Sequence, residues 1–258
     1  MKKLIVFVLV LTAFCNCGVA DRAVKNAARE SLSRMEIPAP LTKSPEQILM
    51  RKGYTVSYNK ETKIPNWVAW HLTADHANGD AKRPGSAFHE DQDVPMPRAN
   101  DYDYRKSGWS RGHMCPAGDN KWDAEAMYQS FLFTNICPQD ERLNSGDWNQ
   151  IEMSCRQWAI KYKDVYIVCG PILFHKQHET IGTDKVVVPE AFFKVVLCLN
   201  GKPKGIGFIC RNEVGHHPKN FYVNTIDQVE RITGMDFFPN LDDATETAVE
   251  SRADINEW

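Results

Sequence analysis

Three apolar segments between residues 164 and 210 constrain the fold most strongly. They read DVYIVCGPIL, FFKVVLCL and KGIGFIC, and each is rich in β-branched or aromatic residues. Short runs of β-branched and aromatic residues predict β-strands. Because these strands do not alternate regularly with helices along the sequence, they predict an α+β fold around a mixed or antiparallel sheet.

The segments around these strands predict one further strand pair and three helices. YTVSYNKETKIPNWVAWHL (54–72) predicts two strands joined by a turn at about Asn59–Lys63. The predicted helices are 123–133 with Asp123 near its cap, 144–162 starting near Ser145 or Asp147, and 226–232 ended by Gly234. The charged, Pro- and Gly-containing residues 75–106 predict a long loop, and loops of that length tend to be functional.

The first twenty residues differ from the rest of the chain. MKK is followed by the apolar run LIVFVLVLTAF and by small residues before Asp21. This pattern predicts a signal peptide over residues 1–20, too short for a membrane span, and therefore a periplasmic or secreted protein without stable membrane insertion. A lipid anchor at Cys15 or Cys17 is less favoured, because the residues before them are larger than such cleavage sites usually accept. Residues 21–50 predict a polar arm or spacer, and 51–258 predict one domain.

Composition narrows the chemistry only a little. The formal net charge is −2, so any site for a polyanion must be a local cluster of Arg and Lys. Six cysteines follow the leader, and no pair among them has Cys-x₂-Cys spacing: Cys115, Cys137, Cys155, Cys169, Cys198 and Cys210. In an exported protein some of them would pair, whereas in a large core they would remain buried thiols, and the sequence leaves both alternatives open.

The segment SGWSRGHMCPAGDNKWD (107–123) contains the histidine best placed for chemistry. Hydrolysis of a phosphodiester needs a base that activates water, a divalent cation at the leaving oxygen, and cations that offset the phosphoryl charge. His113 suits the first role, because an imidazole is partly neutral near pH 7 and can accept a proton. Asn135 is a candidate to orient that imidazole, or its loop, through its amide.

The predicted helix at 144–162 contributes the next candidates. Asn144 offers a hard, neutral oxygen, and Mg²⁺ often takes only one or two protein oxygens. Glu152 lies about two helical turns further on and can face the same site, while Arg156 follows it by one turn, where it can pair with Glu152 or reach a phosphate. Each residue also has a structural alternative: a turn histidine, a helix N-cap and a surface ion pair.

The order and spacing of these residues resemble the DNA/RNA non-specific endonucleases, the ββα-metal family. The matching segments are SRGH at 110–113, NICPQ at 135–139, and NSGDWNQIE followed by Arg156. KIPNWVAWHLT, GDAKRPGSAFHEDQDVP and the tail TIDQVERITGMDFFPNL are also similar, so the resemblance spans roughly residues 54–241. It implies a ββα-metal nuclease core on the central sheet.

The resemblance also implies a role for each matched residue. His113 matches the general base, Asn144 the sole protein ligand to Mg²⁺, and Glu152 the residue that holds metal-bound water. The residues implied to contact phosphate or substrate are Arg83, Arg111, Gln139 and Arg156, with Asn135 as the central asparagine of the motif. The implied activity is Mg²⁺-dependent hydrolysis of DNA and RNA to 5′-phosphate products, with Mn²⁺ or another divalent cation as a substitute.

One residue departs from the family pattern. The motif begins with Ser110 where the family has Asp, and a serine hydroxyl supplies a hydrogen bond without a charge. The departure leaves the base, the metal ligand and the arginines in place, so an active enzyme is expected. The main alternative is a catalytically weak nucleic-acid-binding relative, while a zinc site and a Cys115 thiol hydrolase lack the partner residues they need. A homodimer is compatible with the sequence.

Overall fold

In the described residues, seven of the eleven strands form one antiparallel sheet, in the order β1-β2-β3-β6-β9-β10-β11. The computed structural model describes residues 34–85 and 88–258, and the predicted leader at 1–20 lies outside them. The strands are β1 Gln47–Met50, β2 Thr55–Asn59, β3 Ile64–Thr73, β4 Ser110–His113, β5 Ile136–Gln139, β6 Asp164–Ile172, β7 Thr180–Ile181, β8 Val186–Val187, β9 Ala191–Cys198, β10 Lys204–Arg211 and β11 Val223–Asn224.

Six α-helices are found in the described residues. They are α1 Asp101–Tyr104, α2 Ala124–Ser130, α3 Glu141–Leu143, α4 Asn149–Tyr162, α5 Ile226–Thr233 and α6 Asp243–Glu250. A π-helical turn spans Asn144–Trp148, and short 3₁₀ turns lie at Ala117–Asp119, Phe133–Asn135, Lys219–Tyr222 and Ile255–Glu257. The predicted α+β class is confirmed, and the main sheet is antiparallel rather than mixed.

The strands β6, β9 and β10 form the centre of the sheet, as their apolar sequences predict. All eight residues of β9 are buried, and strand β6 pairs with both β3 and β9. One sheet face packs against α4 and the β4–β5 hairpin, through residues such as Trp148 and Ile151. The other face packs against α5, α6 and the pair Phe237 and Phe238. The sheet is therefore covered on both sides.

The beginning of the domain differs from the prediction. Strand β1 lies inside the segment expected to be a spacer, and it pairs in register with β2 from Gln47↔Tyr58 to Met50↔Thr55. Met35, further upstream, is 3% exposed in the core. The boundary at residue 51 is therefore wrong, because a four-residue edge strand is too short to show a clear alternating pattern.

The predicted helices are found, with one shifted start. Asp123 caps α2 by accepting hydrogen bonds from the backbone N–H groups of Glu125 (2.8 Å) and Ala126 (3.0 Å). Helix α5 ends at Gly234, as predicted. Helix α4 begins at Asn149, later than predicted, because Gly146 takes non-helical backbone angles (φ −101°, ψ −108°) inside the preceding π-helical turn.

The structure distinguishes between the two predicted alternatives for the cysteines. Cys115, Cys137, Cys155, Cys169, Cys198 and Cys210 are all buried free thiols. The expected disulfide pairing is therefore not found among the described residues, because the covered sheet buries the thiols in a core of ordinary size. Within the same residues, no helix has the length and apolar character needed to cross a membrane.

Candidate active site

The site is built on a hairpin and the helix that follows it. Strands β4 and β5 pair antiparallel, with Ser110 opposite Gln139 and His113 opposite Ile136. The chain then continues through the π-helical turn into α4, which packs against the same sheet face as the hairpin. Two strands followed by a helix thus form the predicted ββα unit.

A pocket of about 580 Å³ opens between the hairpin and α4. Six of the eight predicted site residues line it: Arg83, Arg111, His113, Asn144, Glu152 and Arg156. They come from the loop before the hairpin, from β4, from the π-helical turn and from α4, so residues that are distant in sequence converge here. These six described residues therefore share one pocket.

His113 lies at the end of β4, and its ring is half-buried between two aromatic side chains. The ring centroid lies 4.9 Å from that of Phe131 and 5.5 Å from that of Phe88. Burial, with the positive charge of Arg83, lowers the pKa of His113 to about 3. Its Nε2 is shielded from solvent and has no hydrogen-bond partner among the described residues. The imidazole is therefore neutral at pH 7 and has a nitrogen available to accept a proton.

Asn144 is held by the residue that departs from the family pattern. Its Nδ2 donates a hydrogen bond of 3.0 Å to the hydroxyl of Ser110. Because the amide N–H is engaged in this way, Oδ1 is the side-chain atom left to face a cation. Ser110 thus orients the predicted metal ligand without adding a charge.

Arg156 is anchored by a buried carboxylate rather than by Glu152. Its Nη1 lies 2.8 Å from Oδ1 of Asp119, and the other oxygen of Asp119 accepts a hydrogen bond of 3.0 Å from the indole N–H of Trp70. The guanidinium passes over Gly118, where a Cβ would lie 2.8 Å from Nη1. A Cβ at 118 would make the guanidinium shift, so the glycine leaves room for the position in which Asp119 holds Arg156.

Lys194 lies beneath the pocket and was not predicted. It belongs to β9, is 1% exposed, and its Nζ lies 4.6 Å from the ring centroid of Trp148 and 5.1 Å from that of Trp70. Burial by itself would lower the pKa of Lys194, but the charges around it, including Glu152 and Asp119, outweigh this effect and raise it. The lysine is therefore a buried cation behind the acidic groups of the site.

Glu152 faces the pocket from α4. Burial raises its pKa to about 7; Lys194, Arg156 and Arg83 oppose this rise, and Asp119 adds to it. A carboxyl group with this pKa changes its charge in the range where an enzyme usually works. Glu152 and Asn144 line the same pocket.

The three predicted arginines differ in how freely they can meet an anion. Arg111 donates to Oδ1 of Asp101 (2.6 Å) and lies over the rings of Phe88 and Tyr104, so its charge is partly neutralised. Arg83 is exposed and forms no ion pair with any residue that the structure describes. Arg83 is therefore the arginine with its full charge available to a phosphate.

Asn135 lies outside the pocket and supports its floor. It is fully buried; its Oδ1 accepts from the backbone N–H of Cys115 (2.9 Å), and its Nδ2 donates to the carbonyls of Cys115 and Ser130 (both 2.8 Å). These bonds fix the loop after His113 to the end of α2. The sequence-based hypothesis that Asn135 orients this loop agrees with the structure, and Asn135 acts through the backbone rather than on the substrate.

Gln139 is not where the resemblance implied. It is 0% exposed, lies outside the pocket lining, and packs against Gly112 beneath the hairpin. All four residues of β5 are buried, so the side chain of Gln139 does not form part of the pocket surface. The predicted substrate contact of Gln139 is therefore not found in this arrangement.

The side chains at the site that sequence reasoning missed are Asp119, Lys121 and Lys194. Lys121 is exposed and lines the pocket beside Gly118. The signal that would have identified Lys194 is a charged residue in the otherwise apolar segment FFKVVLCL. A lysine in a fully buried strand is rare and needs a compensating charge nearby.

The residues present fit a divalent cation. Asn144 supplies a hard amide oxygen and Glu152 a carboxylate on the same pocket wall, which is the oxygen donor set that Mg²⁺ takes in proteins. None of the six described thiols lines the pocket, because all six are buried in the core, so no thiolate is available here to bind a softer metal.

Known proteins are similar to this chain in both sequence and fold. The human mitochondrial nuclease EXOG is 38% identical over 208 residues, which are 74% of this chain and 56% of that relative. The chain thus spans less than two thirds of that relative's length. A nuclease of Nostoc sp. is 31% identical over 232 residues, covering 83% of this chain and 82% of that protein. A chain in the crystal structure of the EndoG/EndoGI complex superimposes with a TM-score of 0.74 at 26% identity, over 83% of this chain and 92% of that one.

The match to the family covers most of the described fold. The profile of the DNA/RNA non-specific endonucleases matches residues 33–244, which include the hairpin, α4 and the whole central sheet. The same range contains all six pocket residues: the ββα unit carries five of them, and Arg83 lies in the loop before the hairpin. The chain therefore belongs to the DNA/RNA non-specific endonuclease family.

Proposed function

We propose that this protein is an endonuclease that hydrolyses phosphodiester bonds in both DNA and RNA and depends on a divalent cation. The observation that carries the proposal is the pocket itself. Its lining includes Asn144, Glu152 and His113, whose Nε2 has no hydrogen-bond partner among the described residues. Arg83 also lines it and forms no ion pair with any described residue. This set contains a base, an oxygen site for a cation and a cation for phosphate.

His113 is the base in this proposal. Its neutral imidazole accepts a proton from water as the water oxygen forms a bond to phosphorus and the bond from phosphorus to the 3′-oxygen breaks. The products carry a 5′-phosphate and a 3′-hydroxyl. A bound phosphate brings negative charge close to the ring, and that charge raises the pKa of His113 from its low value in the free protein towards the working range.

The remaining side chains of the pocket position the phosphate and balance its charge. Arg83 has its full charge available, while Arg156 is held in a fixed orientation by Asp119. Phosphate contacts carry no base information, so little sequence preference is expected. Mg²⁺, or Mn²⁺ in its place, held by Asn144 with Glu152 nearby would stabilise the negative charge on the leaving 3′-oxygen.

A cleavage assay tests the proposal. The purified chain is incubated with supercoiled plasmid and with a structured RNA, in MgCl₂ or in EDTA. We expect both substrates to be cut in MgCl₂, neither in EDTA, and His113→Ala to lose at least ~100-fold in rate. His175→Ala is the matched control, because His175 is exposed and lies outside this pocket. A wild type that binds plasmid but never cuts it would support the nucleic-acid-binding alternative instead.

We also propose that the protein acts outside the cytoplasm. The charged start, apolar run and small residues of 1–20 support export, although the relatives include mitochondrial nucleases of animals. Expression of the full chain in a bacterium, followed by fractionation and N-terminal sequencing, tests this. Cleavage after Ala20 and nuclease activity in the periplasm or medium are expected, and an uncleaved cytoplasmic chain would contradict the proposal.

A further inference from the structure

Three carboxylates meet on the sheet face opposite the pocket. Asp227 and Glu230 lie on α5, and Glu250 is the last residue of α6. One carboxylate oxygen from each lies within 4.8 Å of the other two. The apolar residues of both helices pack in the second core cluster, away from His113 and α4. This group is therefore separate from the candidate active site.

Glu250 is the most buried carboxylate of the group. The residue is only 6% exposed, and its Oε1 is shielded from solvent and has no hydrogen-bond partner in the described part of the chain. A buried carboxylate oxygen without a partner is strongly unfavourable. Such an atom needs a proton or a cation beside it.

The strongest charges that act on Glu250 are all negative. The groups that act on it most strongly are Glu230, Glu246, Asp227 and Asp236, every one an acid. Burial and these neighbours raise the pKa of Glu250 to about 8. Among the described residues, no Lys or Arg forms an ion pair with Asp227, Glu230 or Glu250. The part of the chain that the structure describes therefore supplies no ion-pair partner to these three carboxylates.

The carboxylates are held in place by the backbone. Oε1 of Glu230 accepts a hydrogen bond of 2.8 Å from the backbone N–H of Phe237, which leaves its other oxygen for a ligand. Beneath the helices, a Cβ at Gly205 would lie 2.6 Å from both the carbonyl oxygen of Val249 and the Cδ1 of Ile226. This glycine of β10 lets the two helices approach the sheet closely, and their relative position is thereby fixed.

We propose that Asp227, Glu230 and Glu250 form a second cation site, distinct from the active site, which binds Ca²⁺. Ca²⁺ takes six to eight oxygen ligands at about 2.3–2.6 Å, so oxygens on opposite sides of the ion are up to about 5 Å apart. Three carboxylates on two helices suit this flexible coordination, whereas Mg²⁺ usually takes one or two carboxylates in a strict octahedron. The ion satisfies Oε1 of Glu250 and joins α6 to α5.

Thermal unfolding of the full chain tests this site. The midpoint is measured in EDTA and in 1 mM CaCl₂ for the wild type, for Asn144→Ala and for Glu250→Gln. We expect CaCl₂ to raise the midpoint by roughly 3–8 °C in the wild type and in Asn144→Ala. Glu250→Gln is expected to lose this rise and to keep its nuclease activity in MgCl₂. The Asn144 variant removes the contribution of the active site, so the two sites are measured apart.

Direct binding provides the second measurement. Equilibrium dialysis of Asn144→Ala with radioactive calcium is expected to retain about one ion per chain, and the double variant with Glu250→Gln none. If Glu250→Gln does not fold, as circular dichroism would show, Asp227→Asn replaces it in both experiments. Equal stabilisation of wild type and Glu250→Gln, or its disappearance in Asn144→Ala, overturns the proposal. So does an absence of any calcium effect, which would mean that the carboxyl groups share a proton instead.

Discussion

The side-chain amide of Asn144 donates a 3.0 Å hydrogen bond to the hydroxyl of Ser110. The two residues are thirty-four positions apart, one on the first strand of the hairpin and the other in the π-helical turn before α4. The bond fixes which end of the amide faces the pocket. Since the family pattern has a carboxylate where this chain has Ser110, the serine keeps the acceptor and removes the charge.

Replacing Ser110 should therefore weaken binding of the cation more than it slows the chemical step. Ser110→Ala removes the acceptor, and a hydrogen bond of this kind is worth about 1 kcal/mol. We expect the MgCl₂ concentration for half-maximal cleavage to rise about 3- to 10-fold, with the maximal rate at saturating MgCl₂ nearly unchanged. A magnesium titration of plasmid cleavage measures both quantities.

The control for this change restores the acceptor. Ser110→Asp is expected to bring the magnesium requirement back to the wild-type value or below it, because its carboxylate accepts the same N–H and adds a charge near the cation. If Ser110→Ala has the same magnesium dependence as the wild type, Ser110 does not orient Asn144.

The pH profile of cleavage should report Glu152 rather than His113. The pKa of His113 is lowered to about 3, so in the free protein its imidazole is already neutral near pH 7 and well below it. Glu152, with its pKa raised to about 7, loses its charge as the pH falls through 7. We expect kcat/KM to fall by about tenfold per pH unit below that value.

A variant of Glu152 separates this effect from other titrations. Glu152→Gln has no charge to lose, so its lower activity is expected to stay flat between pH 5.5 and 7.5, at a fixed concentration of free Mg²⁺. An acid limb that remains near pH 7 in this variant would assign the titration to another group.

Lys194, which lies beneath the pocket, should lower the pH at which Glu152 loses its charge. The lysine opposes the rise in the pKa of Glu152. Lys194→Met keeps the apolar stem of the side chain and removes the charge, so the acid limb of the cleavage profile is expected to move to higher pH by about half a unit or more. Part of the missing rate should return at pH 9, which a merely misfolded variant would not show.

Lys204→Met is the matched control for Lys194. Lys204 is also a lysine of the central sheet, but its Nζ lies over Tyr162 and Trp258, outside the pocket. Its removal should leave the position of the acid limb unchanged. A shift of equal size in both variants would indicate a general charge effect and would remove the special role of Lys194.

The sequence predicted the central strands and most of the site because these depend on local patterns. The apolar runs of β6, β9 and β10 are continuous, and the hairpin and α4 carry their site residues within one contiguous stretch of the chain. The partner of Arg156 was not predictable in this way. Its nearest candidate along the helix was Glu152, but Asp119 binds it instead, from thirty-seven positions away.

The sequence could not show which way a side chain points or how deeply it is buried. A lysine in an apolar strand gives no indication of which sheet face it occupies, so the relation of Lys194 to Glu152 follows only from the packed sheet. Gln139 illustrates the reverse case. Its place in the motif implied a substrate contact, whereas the pairing of β4 with β5 turns its side chain into the core.

Arg83 should contribute to substrate binding more than to the chemical step. It is the exposed arginine of the pocket and forms no ion pair with any described residue, whereas Arg111 and Arg156 are bound to Asp101 and Asp119. Removal of one cation that binds phosphate makes the dependence of affinity on salt less steep by about one unit in a double logarithmic plot. Arg83→Ala is therefore expected to raise KM about tenfold and to lower this salt slope by about one.

Lys60→Ala, in the exposed turn between β2 and β3, removes the same charge outside the pocket and should leave both values unchanged. If both variants change the slope equally, the protein senses the substrate through its total charge, and Arg83 does not bind phosphate separately.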